Sequence, residues 1–314
     1  MEIYVAPLEG ITDSIYRRLH HKYFPGADRY YTPFFSPTVH RALTAREARE
    51  LPIAHALPVE VVPQLLTKVS EDFLWMAQQC RELGYGEVNL NLGCPSGTVT
   101  AKGKGSGMLR EPDTLARFLD EIFSRSPLPV SIKTRIGFTD PQEFPTILEI
   151  YNRYPICQLT IHPRVRQAFY NGPVDHDAFA YALQNSKAPL CFNGNLCSRE
   201  DIQAITAKYP GISAVMIGRG LIGDPGMLTP SGTTAATLER FLEELMAEYA
   251  YHFGGVRNAM FRLKENWRYL FCLFAPDPKL QKRLRKATTI DEYNAVTHEI
   301  LHNLPLQTQL TPDW

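Results

Sequence analysis

Through the first two thirds of the chain, short apolar or β-branched runs alternate with longer stretches whose apolar residues recur at helical spacing. The runs IYVAP (3–7), RYYTPF (29–34), VEVVPQL (59–65), EVNLNL (87–92), PVSIKTR (129–135), CQLTIH (157–162), APLCFN (188–193) and ISAVMIG (212–218) read as strands. Between them, SEDFLWMAQQCRELG and EPDTLARFLDEIFSR read as amphipathic helices, the second with an acidic first turn that suits a helix N-terminus. This alternation implies βα units on a parallel sheet. Eight such strands within residues 3–218, with no G-x-G-x-x-G turn after the first, predict an α/β fold of the (β/α)8 TIM-barrel class rather than an open doubly wound sheet.

The pattern then changes. GMLTPSGTTAAT (226–237) is rich in Thr, Gly, Pro and Ser, and everything beyond it is helical: TLERFLEELMAEYAYHF, VRNAMFRLKENWRYLFCLF and KLQKRLRKATTIDEYNAVTHEILHNL. The expected organisation is a TIM barrel over 1–228, a linker over 229–236 and a small all-helical C-terminal domain over 237–314.

Composition narrows the function without naming it. Basic and acidic residues balance at 33 each, so any affinity for a polyanion must be local. The six cysteines include no C-x-x-C, which argues against a zinc knuckle, a disulfide framework or any metal site. The start MEIYVAPLEG lacks a basic n-region and an apolar h-region, and no apolar run is long enough to cross a bilayer. The expectation is a soluble cytoplasmic protein with no membrane contact.

TIM barrels place their chemistry at the C-terminal ends of the strands. That rule selects Pro7, Leu8 and Glu9 after the first strand, Gln64 on the third, Asn91 and Cys94 after the fourth, Lys133 and Arg135 on the fifth, and His162 and Arg164 after the sixth. Asn193, Gly194 and Asn195 follow the seventh, and Gly218, Arg219 and Gly220 the eighth. A lysine in the run PVSIKTR points into the barrel mouth, where a bound anion or an electron-rich ring would satisfy it. The turns NGN (193–195) and IGRG (217–220), with Arg219 as a charged donor, suit a phosphate and so a phosphorylated cofactor.

The stretch NLGCPSGTVTAKGKGSG (91–107) lacks the P-loop order, and one cysteine makes no metal site. It reads as a flexible loop over the barrel mouth with Cys94 at its base, as nucleophile or proton donor.

Together these motifs resemble the tRNA-dihydrouridine synthases of bacterial type. APLEGITD (6–13) is similar to the family's N-terminal signature, VNLNLGCPSGTV (88–99) to its active-site segment, SIKTRIG (131–137) and TIHPR (160–164) to its flavin and substrate strands, and NGN with MIGRG (216–220) to its FMN phosphate site. The resemblance implies FMN held by Pro7, Leu8, Glu9, Gln64, Lys133, His162, Asn193, Gly194, Asn195, Gly218 and Arg219. It makes Asn91 a contact to the target uracil and turns Arg164 and Arg166 toward the RNA. The implied reaction uses NADPH, or NADH, to reduce FMN; hydride passes from flavin N5 to uridine C6 while Cys94 protonates C5, giving 5,6-dihydrouridine.

Lys133 would stabilise charge on the flavin. The implied substrate is tRNA, with rRNA as the alternative, and the chain is expected to act as a monomer.

Residues 257–286 carry nine basic side chains against Glu265 and Asp277. Arg257, Lys264 and Arg268 share a helical stripe beside Met260, Leu263, Trp267 and Leu270, and are expected to meet RNA phosphates. The chain departs from the family pattern at Pro33, in place of an acidic residue, at Pro163, in place of a glycine, and around Lys102 and Lys104. Two other readings compete. One is a flavin barrel of the dihydroorotate dehydrogenase or ene-reductase type, against which the basic helical domain speaks. The other is an RNA-binding or folding protein with a disused flavin site, against which Cys94, Lys133, His162 and Arg219 speak.

Overall fold

A computed structural model describes residues 1–38, 40–51, 57–307, 310 and 312. Its strands are β1 (Glu2–Val5), β2 (Arg29–Tyr31), β3 (Glu60–Val62), β4 (Gln64–Leu65), β5 (Val88–Leu92), β6 (Val130–Arg135), β7 (Leu159–His162), β8 (Leu190–Asn193) and β9 (Ala214–Ile217). They form one sheet in the order β3-β2-β1-β9-β8-β7-β6-β5-β4, with parallel pairing. The predicted third strand is divided, which makes nine strands of the expected eight among the described residues. Pro63 is the cause: it has no N–H to give the ladder, so β3 pairs with β2 and β4 with β5 on either side of it. The Pro63 carbonyl still accepts from Asn89 N at 2.8 Å, and the ring closes across the break.

Alternation along the strands sorts the side chains. All five residues of β5 are buried, so the period of two separates two buried surfaces rather than core from solvent. Val88, Leu90 and Leu92 alternate with Asn89 and Asn91, whose amides bond into the barrel interior: Asn89 to Ser131 Oγ at 2.8 Å and Asn91 to Gln64 Oε1 at 2.7 Å. On β6, Ser131, Lys133 and Arg135 form the matching polar set. The helices Ser70–Glu82 and Pro112–Arg125 lie where the apolar spacing predicts, burying Phe73, Met76, Ala77 and Cys80 from the first and Leu115, Phe118, Leu119 and Ile122 from the second. Proline at the start of the second costs no hydrogen bond there, because the first helical N–H groups have no intrahelical partner.

The chain divides into two compact units. One comprises Met1–Pro7, Asp28–Asn195 and Ala204–Met216; the other comprises Leu8–Ala27, Leu196–Gln203 and Ile217–Trp314. The second unit therefore gathers more than the sequence range 237–314, of which 308, 309, 311, 313 and 314 lie outside the described residues.

Within the second unit, the helices Ala235–His252, Val256–Leu270, Pro278–Lys286 and Ile290–Asn303 share a core with the helix Ser14–Tyr23, including Tyr16, Leu19, Phe241, Leu245, Met260, Leu263, Trp267 and Ile300. The last helical run of the sequence is two helices, because Thr289 and Glu292 form a capping box that starts a new one. The expected linker is a tied turn. Thr229 Oγ1 donates to the Gly226 carbonyl at 2.8 Å, Thr233 Oγ1 accepts from Gly226 N at 2.7 Å, and the Arg199 guanidinium donates to the carbonyls of Met227 and Thr229.

Asp13 fastens the helix Ser14–Tyr23 into this core. Its buried carboxylate accepts from Tyr16 N at 2.9 Å, from Tyr249 Oη at 3.1 Å and from the Arg262 guanidinium at 2.9 Å. Arg262, one of the nine basic residues of 257–286, is thus committed to an ion pair. Asp13→Ala would leave that guanidinium and the Tyr249 hydroxyl without their partner. A loss of about 2 kcal/mol is expected from urea denaturation of the two proteins, less than for a wholly buried pair because Arg262 keeps some solvent contact.

Among the described residues, no helix is long and apolar enough to cross a membrane, and no group of three or more His, Cys, Asp or Glu is placed to hold a metal ion.

Candidate active site

At the C-terminal ends of β4 to β8, the interior polar residues form a connected set. Gln64 is buried, its amide nitrogen donating to Asn89 Oδ1 at 2.8 Å and its oxygen accepting from Asn91. Register places Asn91 beside Lys133 and Arg135 beside His162. Lys133 Nζ donates to Asn193 Oδ1 at 2.8 Å, and Asn193 Nδ2 donates to the Met216 carbonyl at 2.8 Å. Burial first, then the nearby Arg135 charge, pulls the Lys133 ammonium down to about 8.

Cys94 lies just past β5, close enough to Lys133 and Arg135 to bear on the charge of both. Its backbone is held on both sides. Asn91 Oδ1 accepts from Gly93 N at 3.0 Å and Cys94 N at 2.9 Å, while the Cys94 carbonyl accepts from Ser106 Oγ at 2.7 Å. The expected flexible loop is a short helix, Gly97–Thr100, followed by a 3-10 turn, Gly105–Arg110, with Gly105 to Leu109 buried. Arg110 and Arg166 both donate to Thr100, at 2.6 Å and 3.3 Å, and draw the segment down. A Cβ at Gly107 would stand 2.8 Å from the Thr100 carbonyl oxygen, so the turn closes only with glycine there. Of the two lysines left open by the sequence, Lys104 bonds Ser36 Oγ at 2.7 Å.

Several side chains act differently from expectation. Arg164 does not face solvent: it is buried, with its guanidinium on His162 Nε2 at 2.8 Å, the Asn171 carbonyl at 3.3 Å and the Gly172 carbonyl. Those loop carbonyls need a donor and Arg164 folds back to supply it. Because a guanidinium only donates, His162 Nε2 accepts and the ring proton sits on Nδ1. Asn91 has both ends of its amide engaged, so it orders the Cys94 turn. Arg166 is half-buried and donates to the Pro95 carbonyl at 3.1 Å. Lys264 donates to the Ala287 carbonyl at 2.8 Å, closing the C-terminal end of the helix Pro278–Lys286, whereas Arg257 and Arg268 are exposed.

Arg135 is the residue that sequence reasoning placed on the rim but gave no role. Its Nε donates to the Gly93 carbonyl at 2.9 Å and its Nη1 to the Val165 carbonyl at 3.0 Å, joining the Cys94 turn to the loop after β7. Burial brings it down to about 10. Its position two residues after Lys133 on one strand was the available signal.

Other expected cofactor residues take these places. Pro7 ends the β1 segment and is half-buried; Gly194 has φ +151 and Asn195 φ 49 in the turn after β8. Leu8, Glu9, Gly218 and Arg219 belong to the second compact unit. There Leu8 N donates to Thr12 Oγ1 at 2.8 Å, and Gly218 caps the short helix Arg219–Gly223. At Gly220 a Cβ would lie 2.1 Å from the Leu196 carbonyl oxygen, a backbone approach that only glycine allows.

The sequence profile of the dihydrouridine synthase (Dus) family matches residues 4–268, from within β1 to the helix Val256–Leu270. The chain belongs to the dihydrouridine synthase family. Its relatives include tRNA-dihydrouridine synthase B of Pasteurella multocida, 29% identical over 225 residues that cover 71% of this chain and 66% of the relative. A probable tRNA-dihydrouridine synthase 1 of Synechocystis is 30% identical, with 70% of this chain and 61% of the relative covered. The chain thus spans slightly under two thirds of the length of these two relatives. A probable tRNA-dihydrouridine synthase of Staphylococcus aureus is 30% identical over 237 residues, 70% of this chain and 68% of the relative.

Among solved structures, a morphinone reductase variant in complex with tetrahydroNAD superposes with a TM-score of 0.51 at 13% identity, covering 76% of this chain and 86% of that one. At that identity the likeness establishes the barrel fold alone. Family membership bears out the resemblance read from the five motifs.

Proposed function

We propose that this dihydrouridine synthase family member reduces uridines in tRNA to 5,6-dihydrouridine, with FMN as its cofactor and NADPH as the electron source. The observation that carries the reading is the fixed placement of Cys94, in a turn tied through Asn91 and Ser106 at the end of the strand that pairs with the one carrying the half-buried Lys133.

The donor set suits a flavin. Among the described residues no carboxylate forms a salt bridge with Lys133, and its hydrogen-bond partner is the neutral Asn193 amide, so the interior holds a positive charge fit for an electron-rich ring. Gln64, Lys133, His162 and Asn193 would hold FMN, with Pro7, Gly194 and Asn195 at the strand ends. Leu8, Glu9, Gly218 and Arg219 join the assignment on the family resemblance alone. FMN, when bound, would supply the hydride that uracil C6 takes up. Cys94 Sγ gives a proton to C5 on the uracil. Asn91 keeps the Cys94 turn in place for that transfer, and Arg135 holds the same turn through the Gly93 carbonyl. Arg257 and Arg268 would meet RNA phosphates from the helical unit, and the enzyme would work as a cytoplasmic monomer.

The deciding experiment is mass spectrometry of dihydrouridine in tRNA and rRNA from cells lacking the protein and from the same cells expressing it. Loss at one or more tRNA positions, restored on expression, is the expected result. Unchanged dihydrouridine in every RNA, in cells with no other synthase, would overturn the reading; loss in rRNA alone would move the substrate.

A further inference from the structure

In the first compact unit, beside the Cys94 turn, cationic and aromatic side chains alternate in a ladder. The Arg110 guanidinium stands 4.3 Å from the centroid of the Phe138 ring; Arg166 stands 5.4 Å from that same ring and 4.9 Å from Phe169. The inner rungs are engaged: Arg110 on the Thr100 carbonyl, Arg166 on Pro95 and Thr100, and Phe138 half-buried. Phe169 is the open end. It is 40% exposed, and Tyr170 beside it is 49% exposed.

The backbone adds a second observation. Phe169 has φ 49 and ψ −106, a left-handed conformation that a bulky L-residue adopts only against steric resistance. A partly exposed ring on a strained backbone costs stability twice, and such costs persist at positions that serve a ligand. The ring also has company suited to only some ligands. Arg166 reaches from Phe169 to the carbonyl of Pro95, the residue after Cys94, so a single guanidinium separates the platform from the reactive turn. Beyond Thr100 come Lys102, Lys104 and Lys68: burial first, then the charges of Lys102 and Lys68, holds the half-buried Lys104 ammonium below its ordinary range, with Asp72 opposing.

We propose that Phe169 is a stacking platform for an RNA base next to the reduced uridine, the base lying on the ring face opposite Arg166. This rests on the uridine-reduction reading. A uridine presented to Cys94 must leave its stack, which frees its neighbours as well. Single-stranded RNA is held by aromatic rings for bases and by cations for phosphates, and that is the composition of this rim. A protein or lipid partner would call for a continuous apolar patch, and here every aromatic is bordered by a cation.

The test uses Phe169→Leu and Phe169→Trp in the full-length protein, with tRNA from a strain lacking the protein as probe. Phe169→Leu, which keeps apolar bulk but has no ring, is expected to raise KM for tRNA about ten-fold with kcat little changed. Phe169→Trp is expected to keep the wild-type KM, and its added fluorescence, measured against wild type, is expected to be quenched as tRNA binds. A wild-type KM in the leucine variant, or tryptophan fluorescence unmoved by saturating tRNA, overturns the platform; so does a leucine variant that loses kcat instead. If wild type itself reduces no uridine, the functional reading fails, and the quenching titration still decides the stacking inference by itself.

Discussion

Replacing Cys94 by alanine should slow dihydrouridine formation by about 10²–10⁴-fold, the range a positioned proton donor contributes, while leaving tRNA binding near the wild-type level. The bonds that hold the turn run to backbone atoms: Asn91 accepts from Gly93 N and Cys94 N, and Ser106 donates to the Cys94 carbonyl. They survive loss of the thiol, so the variant removes a proton and little else. Cys94→Ser is expected to remain slow, because an alcohol holds its proton far more tightly than a thiol. Single-turnover dihydrouridine formation, measured with tRNA from a strain lacking the protein, checks this. An alanine variant within ten-fold of wild type would remove Cys94 from the reaction.

Lys133→Met should lower FMN affinity by about one to two orders of magnitude, the worth of a charge-assisted hydrogen bond in a buried site. It should also change how the cofactor-free protein responds to pH. In the folded protein, burial and the Arg135 charge bring the ammonium down to about 8, against about 10.5 in the unfolded chain. Between those values the unfolded chain still holds the proton and the folded protein has shed it, so this group makes stability rise with pH across that window. Below about pH 8 both states are charged and the burial penalty is felt in full. Methionine carries no such penalty. The variant is expected to be more stable than wild type at pH 7 and to lose the rise toward pH 10. Urea denaturation of both proteins at the two pH values, with cofactor content after purification, measures these effects. A variant that is less stable at pH 7 and keeps its flavin would show that Lys133 braces the barrel instead of serving a ligand.

The barrel was legible because its signal is local and repeated. Every strand after the first lay within its apolar run, β1 began one residue ahead of its run at Glu2, and inward positions such as Asn89, Asn91, Ser131, Lys133 and Arg135 follow from a period of two once the strand is placed. Pro63 marked the break in the third strand, since a proline cannot serve a central ladder, and Thr289 with Glu292 marked a helix start inside what reads as one helix.

Long-range bonds were not legible. Glycines suggested a loose loop at 91–107, but its order comes from Arg110 and from Arg166, which stands 66 residues away from Thr100 in the chain. Arg164 and Lys264 have the composition of RNA contacts, and the carbonyls of Asn171, Gly172 and Ala287 take them instead. Phe169 left no sequence trace, because a strained φ is a property of the folded loop.

The three-way hold on Asp13 bears on how this protein can be dissected. A cut at residue 228 follows the domain boundary expected from the sequence. Yet Tyr16, Leu19 and Phe24 share their core with Phe241, Leu245 and Trp267, and Asp13 would lose Arg262 and Tyr249. Such a fragment would bare an apolar helix face at its N-terminal end and would be expected to aggregate, whatever the helices contribute to RNA. Exchanging the helical part between relatives would meet the same obstacle, unless residues 8–27 travel with it.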